Sequence, residues 1–425
     1  MCEDQGRFRL LTAARDVGLV TFGKYGQYVV TVVTVPLIAR LLGTEGLGLV
    51  AIAMSSYFFG SVLVDLGIAQ FLSAMMSRED VRQLRGNYLV IRAVTLSTIG
   101  SALLIGVALD VGVTGRLILL GLFAGGLSSI SEDWVLIGQA RFAASTGYQA
   151  VGRIIYLGLL VTILPRIPRA EVALLCLMLG AVVTIALTWR DSLRRFGRPA
   201  RPHRIIDTVR MGITVLTSRL LVLGYGQGAT AIYSSVLTPA SLGLFSAGDR
   251  LVRAVQSVLD PIGFALLPRM ARISHEDRFW RRGVLALLVC VGMACIATAA
   301  LWVAAPFLVE LIFGRAFAEA VPFLRLEVLI LPATALTSFA TTAILPVRKD
   351  AAGVLIGALI GVCLAGIWLY IAVRTGSVWS LVYGTLCCET AVALWYVARM
   401  WHLYRRERNE TVPADGVPAH AEGLR

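Results

Sequence analysis

The sequence predicts an all-α integral membrane protein of about twelve transmembrane helices. Its 425 residues are 57% hydrophobic and 15% charged, with a mean hydropathy of +0.77, too little polar surface to coat a water-soluble globule. The apolar residues fall in runs of about 20, the length a helix needs to cross a hydrocarbon core of about 30 Å. They do not alternate as barrel strands do. The net charge of +13 and the pI near 9.8 come from basic residues spread through short linkers, which points to a membrane surface rather than to nucleic acid.

Charged and Gly/Pro breaks place the spans in order. The first, 17–42, follows the polar segment Met1–Asp16, and the second, 47–76, stops before Arg78. Spans 87–109 and 116–138 follow, and the fifth, 148–165, is interrupted by Arg153 and stops before Arg166 and Arg169. Span 171–190 runs into a linker rich in arginine and proline, beyond which lie 208–236 and 242–270. The last four are 284–305, 318–345, 351–373 and 377–402, bounded in turn by Arg315, by Arg348 with Lys349, by Arg374 and by Arg405.

Lys and Arg concentrate in alternate linkers, including Arg78, Arg82 and Arg85, Arg194 to Arg204, Arg272 to Arg282, and the tail, whereas the other linkers hold scattered residues. Positive linkers stay on the cytoplasmic side, so both termini are expected there. The expected organisation is a cytoplasmic segment 1–16, a six-helix lobe 17–190, a basic cytoplasmic linker 191–207, a second six-helix lobe 208–402 and a disordered cytoplasmic tail 403–425. A full-length span follows the polar start, which predicts no removed signal peptide. The seven cysteines lie mostly in apolar runs and the four histidines in linkers or the tail. No disulfide framework, metal centre or cofactor is expected.

An internal repeat supports the division. Leu47-Gly48-Leu49 recurs as Leu242-Gly243-Leu244, an offset of 195 residues that also carries Asp65 onto Asp260. Two halves of six spans have the same orientation and are expected to be related by a pseudo-two-fold axis along the membrane normal.

Charged residues inside the spans are the candidate functional groups, because charge in hydrocarbon is costly unless it faces a bundle interior or a wet cavity. Lys24 lies on one face of the first span with Thr21, Gln27, Tyr28 and Thr31, and the offset of 195 carries it onto Arg219 in the seventh. The two cations either hold an anionic headgroup such as a diphosphate across a central cavity, or, for Lys24, snorkel to the nearby membrane surface. Arg250 and Arg253 share a helix face and either join that site or pair with Asp249. Asp65, Asp260, Glu132, Asp133 and Asp249 either carry a coupling proton or pair internally. No nucleophile with a neighbouring base and no phosphate-binding glycine loop occurs, so an enzyme is not expected.

The stretch from Val35 to Gly48 (VPLIARLLGTEGLG), followed by Asp65-Leu66-Gly67-Ile68, resembles the opening of Wzx-type polysaccharide-biosynthesis flippases. That family belongs to the superfamily containing multidrug extruders and the lipid II flippase. Leu242 to Arg250 and Ile312-Phe313-Gly314 echo it further. The resemblance implies a V-shaped pair of lobes that opens a polar cavity alternately to each face of the bacterial inner membrane. It implies a substrate of undecaprenyl-diphosphate-linked oligosaccharide, with membrane lipids, a polysaccharide polymerase and glycosyltransferases as partners and no nucleic acid. Cationic residues on the first and seventh helices of such flippases are associated with the cavity, which corresponds to Lys24 and Arg219. A cation-coupled multidrug extruder and a polytopic glycosyltransferase or polymerase are the competing readings.

Overall fold

A computed structural model describes the backbone of residues 2–69, 72–73, 80–203, 205–272, 278–348 and 350–411. Its side chains are described from Val33 to Leu259 and from Phe279 to Arg408, apart from those backbone gaps and residues 211, 214 and 351. The described chain is helical with no strands: α1 Cys2–Asp65, α2 Val81–Ala108, α3 Gly112–Ser128, α4 Asp133–Gly138, α5 Phe142–Ile163, α6 Ala170–Phe196 and α7 Ile205–Tyr225. There follow α8 Ala229–Tyr233, α9 Pro239–Arg272, α10 Arg278–Phe313, α11 Ala320–Glu327, α12 Ile330–Phe339 with a π-helical turn Ala340–Ile344, α13 Ala351–Thr375 and α14 Trp379–Thr411.

Gly43, at φ 70° and ψ −168°, divides α1 at the expected boundary between the first two spans, in a conformation that a Cβ disfavours. Three other expected spans are each built from two helical pieces, α3 with α4, α7 with α8, and α11 with α12. Counted this way the described chain passes through twelve helical segments. Nine stretches among the described residues are long and apolar enough to cross a membrane by length and composition. Helix α9 is not one of them, because Asp249, Arg250 and Arg253 crowd its first half.

The helices turn apolar faces outward as well as inward. Along α10, Leu285, Leu288, Ile296, Val303 and Phe307 are 61–72% exposed, while Leu287, Cys290, Ala294, Leu301 and Ala305 are buried. An apolar outer face of this extent suits lipid contact, and the helical backbone satisfies its own hydrogen bonds there.

Helices that must approach closely do so over glycine. On α3, Gly121 and Gly125 meet the backbone of α1, where a Cβ on Gly125 would stand 1.9 Å from the Tyr57 carbonyl oxygen. The repeat itself forms a reciprocal contact between the halves. A Cβ on Gly48 would lie 1.7 Å from the Pro239 carbonyl oxygen, and one on Gly243 would lie 1.9 Å from that of Thr44. The offset of 195 relates Gly48 to Gly243 and Thr44 to Pro239, so each half offers the other the same patch, as a two-fold contact requires. At the same end, Arg40 Nη2 donates to the Leu311 carbonyl of α10 at 2.5 Å. Deeper in, the Ser55 hydroxyl donates to the Gln227 carbonyl at 2.8 Å and accepts from the Ala231 amide at 3.0 Å.

The opposite, arginine-rich end is held by ion pairs. Arg85 Nε meets Glu132 Oε2 at 2.6 Å in full burial, and Arg85 Nη1 also donates to the Gly197 carbonyl at the end of α6. Arg399 pairs with both oxygens of Asp350, at 2.7 and 2.9 Å. Two expected boundaries are corrected here. Helix α6 runs to Phe196, six residues into the expected linker, and the residues beyond it are strapped to α2 through Ala200 N to Arg82 O, Gln83 Nε2 to Arg201 O and His203 N to Asn87 Oδ1. The tail expected to be disordered from 403 stays helical to Thr411, where Glu407 binds Arg348 at 2.7 Å and accepts from the Trp280 indole at 2.7 Å.

Two consequences are measurable. Gly125→Ala forces α1 and α3 apart and costs about 1–3 kcal/mol, lowering the thermal unfolding temperature in detergent. Gly158→Ala, with nothing within 4 Å of its Cβ, leaves that temperature unchanged or raises it through about 1 kcal/mol of helix propensity. Asp350 caps α13 through the Gly353 amide, and the Arg399 guanidinium holds its carboxyl below the usual carboxylate range. A carboxylate depressed in the folded state stabilises above its unfolded value and loses that contribution as pH falls through its folded value. The stability gap between wild type and Asp350→Asn is therefore constant above about pH 5 and closes below about pH 4, read by thermal unfolding across pH.

Candidate functional site

Two adjoining cavities lie inside the bundle. The larger, about 340 Å³, is enclosed by α1, α3, α5 and α6, and among the described residues it receives a single one from the second half, Arg250 of α9. Its size falls within the range of about 300–1,000 Å³ common to small-molecule sites. The faces that line it follow helical spacing, with Val50, Met54 and Tyr57 from α1, and Gln149, Arg153 and Tyr156 from α5. Among the described residues the polar lining is two guanidiniums with hydroxyl and amide groups, and no carboxylate belongs to it.

Arg153 is steered by a relay. Its Nη2 donates to Gln149 Oε1 at 3.1 Å, and Gln149 Nε2 donates to Asp133 Oδ2 at 2.8 Å. Asp133 also accepts from the Ser145 hydroxyl. Across the cavity, the Tyr57 hydroxyl donates to Ser128 Oγ at 2.8 Å.

The smaller cavity, about 170 Å³, lies between α1 and the second half and shares Met54, Phe58 and Arg250 with the larger. Its charged lining is Asp249, Arg250, Arg253 and Glu389. Arg253 Nε binds Asp249 Oδ2 at 2.6 Å, one turn apart on α9. Arg250 shows neither an ion pair nor a side-chain hydrogen bond among the described residues, and it is the one charged residue common to both cavities.

The candidate residues read from the sequence divide into four groups. Arg250, Arg253 and Asp249 come together as just described. Asp65, Glu132 and Asp133 are held within the first half. Asp65 accepts from the Tyr88 hydroxyl and pairs with Arg92 at 3.2 Å, Glu132 pairs with Arg85, and Asp133 orients Gln149. Asp65 also ends its helix, as Leu66 and Gly67 both take positive φ. Arg219 belongs to neither cavity lining. Its side chain rests on Gly67, where a Cβ would come within 2.5 Å of its Cδ. The side chains of Lys24 and Asp260 lie outside the described residues.

Arg153, Gln149 and Tyr156 were not singled out from the sequence as site residues. Their signal is the spacing 149, 153, 156, which puts a guanidinium, an amide and a phenol on one face of an otherwise apolar helix. Glu327, fully buried on α11, was also missed. Among the described residues, no group of three or more His, Cys, Asp or Glu is placed to hold a metal ion.

The fold is shared with solved membrane transporters. One is an inward-facing multidrug resistance MATE family transporter of the MOP superfamily, with TM-score 0.60 and 15% identity over 88% of this chain and 95% of that one. Another is the lipid II flippase MurJ in an inward closed conformation, with TM-score 0.68 and 12% identity over 90% of this chain and 87% of that one. At these identities the likeness establishes the two-lobed helical fold alone. Comparison with curated protein sequences returns no match. Residues 13–274 match the family described as polysaccharide biosynthesis protein. That match runs from the first span past the end of α9 and takes in more than half of the chain, which therefore belongs to the polysaccharide biosynthesis protein family.

Proposed function

We propose that the protein is a flippase that carries an undecaprenyl-diphosphate-linked oligosaccharide across the bacterial cytoplasmic membrane by alternating access, for surface polysaccharide assembly. The observation that carries this reading is the larger cavity, whose lining among the described residues holds Arg153 and Arg250 and no carboxylate. Two guanidiniums facing one cavity in a membrane interior are costly, and a bound anion offsets that cost. Guanidinium forks suit phosphate oxygens in bidentate geometry. The hydroxyl and amide groups of Tyr57, Ser128, Gln149 and Thr184 supply the donors and acceptors that sugar hydroxyls need. The prenyl tail remains in lipid, where its burial costs nothing.

Family membership supports a role in polysaccharide synthesis, and the fold of the transporters described above supports translocation rather than catalysis. The arginine asymmetry of the linkers supports cytoplasmic termini. A drug extruder for cationic compounds calls for carboxylates in the cavity, opposite to the charge found here. Lys24 and Arg219, repeat mates in the first and seventh spans, are a second cation pair in this reading, serving the diphosphate on its way to or from the cavity.

The test is surface polymer in cells whose sole copy is a variant, with membrane abundance followed in parallel. Losing a charge-assisted contact worth about 1.5–3 kcal/mol lowers polymer output about tenfold or more in Arg153→Ala and in Arg250→Ala, at unchanged protein level. Arg250→Lys retains part of the activity. Wild-type polymer from both alanine variants would rule out the cationic cavity as the headgroup site. Lys24→Ala and Arg219→Ala are expected to reduce output in the same assay.

A further inference from the structure

One buried charge cluster in the second half is not used by the anion site. Glu327 on α11 is 0% exposed, and neither of its carboxyl oxygens has a hydrogen-bond partner among the described residues. Oδ1 of Asp249 is also without one. The two carboxyl groups approach each other. A Cβ on Gly248 would stand 3.0 Å from Glu327 Oε2, and Asp249 lies within hydrogen-bonding reach of Glu327. Two ionised carboxylates are acceptors only and cannot bond to one another. A single proton converts the pair into a donor and an acceptor and satisfies the orphaned oxygens.

The charges facing Glu327 are few. From α9 come Asp249 and Arg253, which are bonded to each other, with Arg250 beside them. Helix α10 has no charged residue between Arg282 and Glu310, and α12 with its π-helical turn has none. Helix α14 offers only Glu389 between Trp379 and Arg399, and this residue lines the smaller cavity. With every group ionised, three carboxylates (Asp249, Glu327, Glu389) stand against two guanidiniums (Arg250, Arg253), a net charge of −1. One bound proton brings the cluster to neutrality, the state that burial favours.

We propose that Asp249 and Glu327 share a proton, forming a proton-binding site whose occupancy is linked to anion binding at Arg250. The linkage part rests on the reading of Arg250 as a headgroup contact. An anion at Arg250 cancels one of the two guanidinium charges, so the pair holds its shared proton more tightly, up to a higher pH, when the anion binds. By reciprocity, proton binding raises affinity for the anion.

The experiment has two arms, both on the full chain in lipid nanodiscs. Without ligand, infrared difference spectra compare wild type with Glu327→Gln, which keeps the shape of the protonated side chain, and with Asp249→Asn. A protonated-carboxyl stretch present at neutral pH in wild type and lost in Glu327→Gln, or shifted in Asp249→Asn should the first variant not fold, is the expected result. Identical spectra in that region would overturn the shared proton. In the second arm, undecaprenyl diphosphate is titrated across pH. For one linked proton, wild-type affinity falls up to about tenfold per pH unit above the titration, and this slope is lost in Glu327→Gln while binding persists. Binding with pH-independent affinity in wild type would overturn the linkage. A carboxyl band with no diphosphate binding would leave the proton site supported and remove Arg250 as a headgroup contact.

Discussion

The close crossing of the second span with α9 at Gly48 and Gly243 is the constraint on which the site depends. Side chains there would hold the backbones apart, and Arg250, two turns further along α9, would no longer reach a cavity otherwise lined by the first half. Placing a charge from one half in the interior of the other needs backbones in near contact, and in a membrane that contact is obtained with small residues rather than with hydrophobic burial. The same crossing makes the contact reciprocal, because the two glycines and their partners Thr44 and Pro239 are related by one sequence offset.

Charge is distributed in two ways. At the arginine-rich end, Arg85, Arg92, Arg141 and Arg399 each have a carboxylate partner, and these pairs tie α2, α6 and α14 to their neighbours. Buried pairs of this kind add little net stability over apolar packing, but removing one partner strands the other. In the interior the balance is local and incomplete: among the described residues the lining of the first half's cavity has two guanidiniums and no carboxylate, and the second half's cluster, with Glu327 included, has three carboxylates to two guanidiniums. Arg250 joins the two regions. The charge that makes the large cavity attractive to an anion also belongs to the group that sets the charge of the small one.

Much of the fold is legible in the sequence because it is written locally. Span limits follow hydropathy, the break after Leu42 follows from Gly43, and the irregularity after Asp65 follows from Leu66-Gly67 and appears as positive φ at both residues. The site is less legible because it is written across the chain. Arg153 reads as a flaw in the fifth span until Gln149 and Asp133 are seen to steer it into a cavity. Glu327 sits in a short, broken helix among apolar residues, and nothing within its own segment marks its proximity to Asp249. The repeat offset pairs Lys24 with Arg219, but it does not reveal that Arg219 rests on Gly67, nor that Arg250 reaches across from the other half.

That Arg153 and Arg250 come from different halves bears on how a cavity of this kind can transport. An anion gripped by α5 and α9 together is a ligand of the arrangement in which the halves meet at Gly48 and Gly243. If the halves part there, the two guanidiniums separate and the anion keeps one of them at most. A ligand shifts a conformational equilibrium only by its difference in affinity for the two states. On the proposed reading, substrate bound between two arginines would favour the arrangement in which the halves meet, and parting the halves would weaken the grip where release is required. Had both cations stood on one half, binding would be equally strong in either state and substrate could not bias the change.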